Sequence, residues 1–345
     1  MTWVRARKPA ALASIVVTLS LAVGCAEESA GGADTAAEPL TVYSGREEEL
    51  VGSVIDDFTE ETGIGVEVRY GDTAELAATI VNEGEASPAD VFWAQDAGAL
   101  GALEDEELFA ALPMDVLDVV DPRFRSEEGE WVGVTGRSRV MAYNTEALSE
   151  AEVPDSVFDL TNPRWDGRVG WAPTNGSFQA FVTAMRELEG EEDTRTWLEG
   201  MLANGVQHYS ENTLILEALG RGEIDLGLTN HYYLYRYLAE DPDFPVANAY
   251  PAGDVGALLN VAGIGLLATS DQVEASERFV EYLLSEQVQS YFGTVTDELE
   301  YPLRNGVTAR KLPPLAELDP PDVELSDLKD LQGTLALLRE VGALE

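Results

Sequence analysis

Residues 40–93 read LTVYSGREEELVGSVIDDFTEETGIGVEVRYGDTAELAATIVNEGEASPADVFW, and their periodicity decides the fold class. Leu40 to Tyr43 is a short apolar strand halted by Ser44-Gly45. Glu47 to Thr62 puts Leu50, Val54, Ile55 and Phe58 on one helical face, and Gly63 supplies the stop. Val66 to Tyr70 alternates as a strand. Thr73 to Asn82 then predicts a helix with Leu76, Ile80 and Val81 inward, and Ala89 to Trp93 a further strand. This β-α-β-α-β order predicts an α/β sheet with helices on both faces.

Toward the N-terminus the character changes. Arg5, Arg7 and Lys8 precede an apolar run, Ala10 to Val23, that is too short to span a bilayer and reads as a secretory signal. It ends in Leu21-Ala22-Val23-Gly24-Cys25, which resembles a bacterial lipobox with Leu21 one place early. Cys25 is the only cysteine of the chain, so no disulfide accounts for it, and it is the expected lipidation site. The plain alternative is a secretory peptide with an incidental cysteine. The small, acidic stretch that follows reads as a flexible tether.

Toward the C-terminus strands and helices keep alternating. Val132 to Tyr143 looks extended, with Gly133 and Gly136 breaking it. Arg168 to Ala172 predicts a strand, followed by a turn at Pro173-Thr174-Asn175-Gly176 and a helix from Ser177. Thr194 to Ala203 and Thr213 to Leu219 read as helices, and Ile224 to Leu228 as a buried strand. Gly256 to Thr269 reads as a core strand, and Phe279 to Gln287 and Leu325 to Val341 as amphipathic helices.

The 345 residues hold 21 Lys+Arg against 64 Asp+Glu, a formal charge of −43. A polyanion such as a nucleic acid is repelled by that balance, which equally disfavours docking on an anionic lipid surface through a basic face. Catalytic signatures are missing. The two histidines, His208 and His231, fit no nucleophilic triad or metal spacing, and there is no nucleophile elbow or Walker loop. An exported, tethered α/β chain of this size suits a two-lobed solute-binding protein better than an enzyme. Its ligand would sit where strand ends and helix N-termini face a cleft.

The unusual stretch is Leu228-Thr229-Asn230-His231-Tyr232-Tyr233-Leu234-Tyr235-Arg236-Tyr237. Neighbours on a helix diverge by about 100°, so Tyr232 and Tyr233 cannot share one buried stripe. Spacing alone favours an amphipathic aromatic turn with its hydroxyls at the surface. The other reading has two phenol oxygens reaching a cleft together, as hard donors for a small trivalent cation such as Fe3+.

Over essentially its whole mature length the chain resembles the ferric ion-binding proteins of bacterial iron(III) ABC importers. The carrying segments are Thr41 to Glu47, Ser87 to Trp93, Thr135 to Val140 with Tyr143-Asn144, Trp165 to Arg168, Thr174 to Phe178, Asn230 to Tyr233, and Tyr301 to Arg304. The resemblance implies a two-lobed periplasmic-binding-protein fold, type II-like, with hinge strands between the lobes. The expected organisation is a signal peptide over 1–24, a tether over 25–39, one lobe from 40–137 plus 262–312, and the other from 138–261 plus 313–345.

The same resemblance implies capture of ferric iron by Tyr232 and Tyr233 and delivery to an ABC permease by a monomer held at the outer membrane face through lipid. A synergistic anion, carbonate or phosphate, would rest on Asn175, Gly176 and Ser177, with Asn212, Asn230 and Arg137 beside it. Plain N-caps at Asn175 and Asn230, and a surface ion pair at Arg137, are the alternatives. The family's histidine in the first loop is replaced by Glu47, and its glutamate after the third strand by Gln95. Glu47 is either a metal ligand or one more acid of the run Glu47-Glu48-Glu49. Gln95 would touch the metal, the anion or a bound water, and Arg137 would offset part of the donors' negative charge. The rival function is a receptor for a small anion such as a phosphonate or phosphate ester, without iron.

Overall fold

The structure, a computed structural model, describes residues 38–296 and 299–344. The signal peptide, Cys25 and nearly all of the tether lie outside the described residues. In the described chain no helix is long and apolar enough to cross a membrane.

The opening repeat forms β1 (Leu40–Ser44), α1 (Glu48–Thr62), β2 (Val66–Tyr70), α2 (Thr73–Glu83), β3 (Val91–Ala94) and α3 (Ala97–Asp105). β1 pairs in parallel with both β2 and β3. Val42, Tyr43 and Val91 to Ala94 are buried, as expected for parallel strands covered on both faces. Two short elements, β4 (Phe109–Ala110) and α4 (Met114–Leu117), lead into β5 (Trp131–Asn144), fourteen residues buried throughout.

The second run comprises β6 (Val169–Trp171), α5 (Gly176–Glu189), α6 (Glu191–Ala203), β7 (Gln207–His208), α7 (Asn212–Gly220), β8 (Leu226–Asn230), α8 (Tyr233–Glu240) and β9 (Val246–Ala249). The chain returns through β10 (Leu259–Leu267), α9 (Val273–Leu283), α10 (Glu286–Thr294), β11 (Tyr301–Pro302) and α11 (Leu331–Glu340). Strand order runs β2-β1-β3-β10-β5-β8-β6-β7. β10 is antiparallel to both β3 and β5.

β5 joins two sheets. Trp131 to Ser138 pairs with β10, whereas Arg139 to Tyr143 pairs with β8 and Met141 to Asn144 with β9. Each sheet has its own aromatic packing. Phe279 meets Phe58 at 5.0 Å and Trp93 at 6.2 Å on one side, and Trp171, Phe178, Phe181 and Trp197 cluster on the other.

Several expectations need correction. Gly133 and Gly136 do not break β5, because a side chain is what those sites cannot hold. A Cβ on Gly133 would lie 2.7 Å from Leu303 and from the Phe124 carbonyl. Val81 points outward, 42% exposed, since Leu76, Ala77 and Ile80 already fill the buried face of α2. Phe279 to Gln287 is not one helix: Ser285 accepts the Val288 N–H and starts α10 anew. Likewise Leu325 to Lys329 is a 3-10 turn, and Asp330 caps α11 through the Gly333 N–H at 2.9 Å.

That turn lies against α3 so closely that a Cβ on Gly101 would sit 2.1 Å from the Ser326 carbonyl oxygen. Gly101→Ala should therefore destabilise the fold by about 1–3 kcal/mol through overpacking, despite a helix-propensity gain of about 1 kcal/mol. Gly52→Ala in α1 is the control, because its Cβ would meet nothing nearer than Glu48 at 3.6 Å. Urea unfolding should show a lower midpoint for the first variant and an unchanged or higher one for the second.

Candidate metal-binding cleft

Five strand-to-helix junctions converge. The loops after β1, β2, β3, β6 and β8 each deliver a helix N-terminus to one cleft at the strands' C-terminal ends. Asp96 caps α3 through the Ala99 N–H at 3.1 Å, and Asn175 caps α5 through the Ser177 N–H at 3.0 Å. Two adjoining cavities of about 330 and 360 Å3 share Glu47, Gln95, Arg137, Asn175, Tyr232 and Tyr233 in their walls. Gly176, Ser177 and Asn230 line the first cavity, and Asn212 lines the second. The structure thus brings all ten candidate residues to one place.

Tyr232 and Tyr233 face each other at a ring separation of 4.3 Å and a tilt of 34°. Tyr232 immediately precedes α8 and already has helical backbone angles, φ −70° and ψ −27°, yet the two rings meet. The remaining tyrosines of the stretch turn away. Tyr237 stacks on Phe244 and donates to the Thr213 carbonyl, and Tyr235 donates to the Lys311 carbonyl. Burial and the neighbouring Tyr233 push the Tyr232 phenol well above its usual range. The cleft therefore holds that phenol protonated until a strongly polarising cation displaces the proton.

Arg139 was not assigned a role from sequence, yet it is buried in the cleft beside the pair. Its register partner across the β5–β8 ladder is Asn230, whose Oδ1 accepts from Nη1 at 3.1 Å. The same nitrogen donates to Ser177 Oγ at 3.2 Å, and the guanidinium lies 5.2 Å over the Phe181 ring. Its Nη2 is buried and has no hydrogen-bond partner. Burial, partly offset by Tyr233 and Tyr232, lowers the Arg139 guanidinium to about 10, so it stays cationic at neutral pH. A buried, half-satisfied guanidinium is costly unless an anion or a phenolate completes it. Arg137 and Arg139 lie two apart in a strand, so both face one side; that alternation was the available signal.

Arg137 lines both cavities and also faces a buried carboxylate. Its Nε lies 3.9 Å from Glu300, whose other oxygen accepts from Arg46 at 2.8 Å and from Thr135 at 2.7 Å. Burial raises the Glu300 carboxyl, but Arg46, Arg137 and these hydrogen bonds outweigh it and hold the group below its usual range. Two guanidiniums against one carboxylate leave one positive charge under the cleft. Asn212 spends both amide hydrogens on Asn175 Oδ1 and Ser177 Oγ, each at 3.1 Å, so it braces the α5 loop. Glu47 precedes α1 without capping it, and the Gln95 N–H donates to Thr73 Oγ1. Among the described residues no group of three or more His, Cys, Asp and Glu could hold a metal ion.

A family model for bacterial extracellular solute-binding proteins matches residues 53–315. The chain belongs to that family. The Fe(3+)-binding periplasmic protein of Serratia marcescens is 34% identical over 316 residues, covering 90% of this chain and 93% of that one. The major ferric iron-binding protein of Neisseria meningitidis serogroup B is 34% identical over 318 residues, covering 89% and 95%. Among solved structures, iron-bound HitA from Pseudomonas aeruginosa superposes with a TM-score of 0.80 at 36% identity, covering 88% and 99%. The fold is thus the two-lobed α/β architecture of solute-binding proteins, which are transport proteins and not enzymes.

In this family member His231 is a pin. Its Nδ1 accepts from the Ser138 N–H at 3.2 Å and its Nε2 donates to the Leu299 carbonyl at 2.7 Å, so the neutral ring satisfies both partners. Burial pushes it down to about 4 from the ordinary 6.5. Below pH 6.5 the unfolded chain takes up a proton that the folded one refuses, so stability falls as pH drops from 6.5 to 4. The loss from this group should be on the order of 3 kcal/mol. Urea unfolding of the metal-free protein at stepped pH should show that slope, and His231→Gln should remove it from the same window.

Proposed function

We propose that the chain captures ferric iron between Tyr232 and Tyr233 with an anion beside it, and delivers the ion to an ABC permease. One observation carries the reading: the rings of two adjacent phenols lie 4.3 Å apart in a cleft whose buried Arg139 has an unpartnered nitrogen. Phenolates are hard oxygen donors suited to a small trivalent cation. The fixed guanidinium stabilises them once their protons leave. The Serratia and Neisseria relatives are named as ferric iron binders, which agrees.

The anion would rest against the N-terminus of α5 at Gly176 and Ser177, where the helix dipole and Arg139 attract negative charge. Carbonate and phosphate fit this description. A Trichodesmium relative, 26% identical with a TM-score of 0.78 and covering 88% of this chain and 99% of that one, holds iron with citrate, so a carboxylate fits too. In this reading Asn230 steers Arg139, Asn212 braces the loop, and Arg137 balances Glu300. Glu47 supplies a carboxylate oxygen, and Gln95 a hydrogen bond to the anion or a bound water. The halves would hinge along β5 and β10, with lobes of 40–137 plus 262–312 and 138–261 plus 313–345. Lipid on Cys25 would hold a monomeric receptor at the outer membrane face. The rival small-anion receptor would use Arg139 and the α5 loop, but has no need of two adjacent phenols.

Titrating metal-free protein with Fe3+ in the presence of carbonate should raise a visible phenolate-to-iron absorption band. Tyr233→Phe should lose most of that band, and affinity should fall by more than the roughly 10–100-fold that loss of a supporting hydrogen bond costs a metal site. Full colour and affinity in that variant would rule the tyrosine pair out.

A further inference from the structure

Two consecutive residues, Leu299 and Glu300, reach both sides of the cleft from one segment. The Leu299 carbonyl holds His231, and His231 directly precedes Tyr232. The Glu300 carboxylate holds Arg46, and Arg46 directly precedes Glu47. Glu300 and Arg46 are 1% and 3% exposed, so their contact at 2.8 Å is made out of water, where charge and geometry are enforced most strongly. Arg46 is gripped again through its backbone. Its N–H donates to Ser44 Oγ at 3.1 Å, and that hydroxyl donates to the Arg46 carbonyl at 3.2 Å. Glu47 makes no capping bond of its own, yet it lines both cavities.

We propose that Glu300 is a positioning residue for metal capture: through Arg46 it holds the Glu47 carboxylate at the cleft, opposite a tyrosine pair held through Leu299. The bracket 299–300 thus sets the spacing between donors that come from different sheets. The proposal rests on the ferric reading, and it adds that Glu47 is a donor whose placement depends on a carboxylate 253 residues away in sequence.

A double-mutant cycle tests it, with Fe3+ affinity measured by competition against a chelator at one fixed carbonate concentration. Glu300→Gln should weaken Fe3+ binding roughly 10–100-fold in the parent chain. In a Glu47→Gln background it should change binding by no more than about twofold, because the group it positions is gone. The visible band at saturating iron should persist in Glu300→Gln, since both phenolates remain; collapse of the cleft would erase it. Should Glu300→Gln fail to fold, Arg46→Met takes its place in the same cycle, leaving Glu300 paired with Arg137. Equal losses in both backgrounds, or no loss in either, would overturn the positioning role. Absence of the band from the parent protein would instead defeat the ferric reading itself, so the two failures are distinguishable.

Discussion

Because β5 pairs with β10 over its first half and with β8 and β9 over its second, residues near the change of partner are held by both sheets at once. Those residues are Thr135, Arg137, Ser138 and Arg139, a polar run inside an otherwise apolar strand. Each finds a partner on a surrounding element, although Arg137 Nε and Arg139 Nη2 make no hydrogen bond. Thr135 and Arg137 reach Glu300, Ser138 takes His231 through its N–H, and Arg139 crosses to Asn230 and Ser177. Burying so much polarity costs free energy unless it is paired, so the surrounding loops are constrained to supply partners. The cleft lies where this strand changes partner, and its donors are consequently organised by buried charge.

That constraint explains how a chain carrying −43 formal charges can still gather fixed positive charge at its cleft. The acids are spread mostly over exposed helix faces and loops, where solvent and salt screen them. Four of the arginines, Arg46, Arg137, Arg139 and Arg236, line the two cavities, and three of them are almost fully buried. In a low-dielectric setting a few fixed cations dominate the local field over many distant, hydrated carboxylates.

Much of the fold was legible in the sequence because helices and strands announce themselves by period. The first five elements matched within a few residues, and the α5 turn at Pro173 to Gly176 was read from its turn chemistry. What failed was local. Ser285 and Asp330 restart helices inside apolar patterns, and Gly133 and Gly136 serve close packing instead of breaking a strand. At the cleft, the tyrosines, the α5 loop and Glu47 were singled out by the family resemblance, since spacing alone favoured a surface aromatic turn and one more acid of a run. Glu300 was not, since one acid among 64 becomes special only through a contact 254 residues away. Arg139 was half visible, by alternation with Arg137, but its unpartnered nitrogen is a property of packing alone.

The central claim is that two neighbouring phenols and a cation-backed anion loop form one ferric site. An anomalous-difference map at the iron edge, from crystals of protein loaded with Fe3+ and carbonate, tests it most directly. The account predicts a single strong peak within bonding distance of both the Tyr232 and Tyr233 hydroxyl oxygens, with anion density against Gly176, Ser177 and Arg139. A peak bound by surface carboxylates, or one touching neither tyrosine, would contradict it.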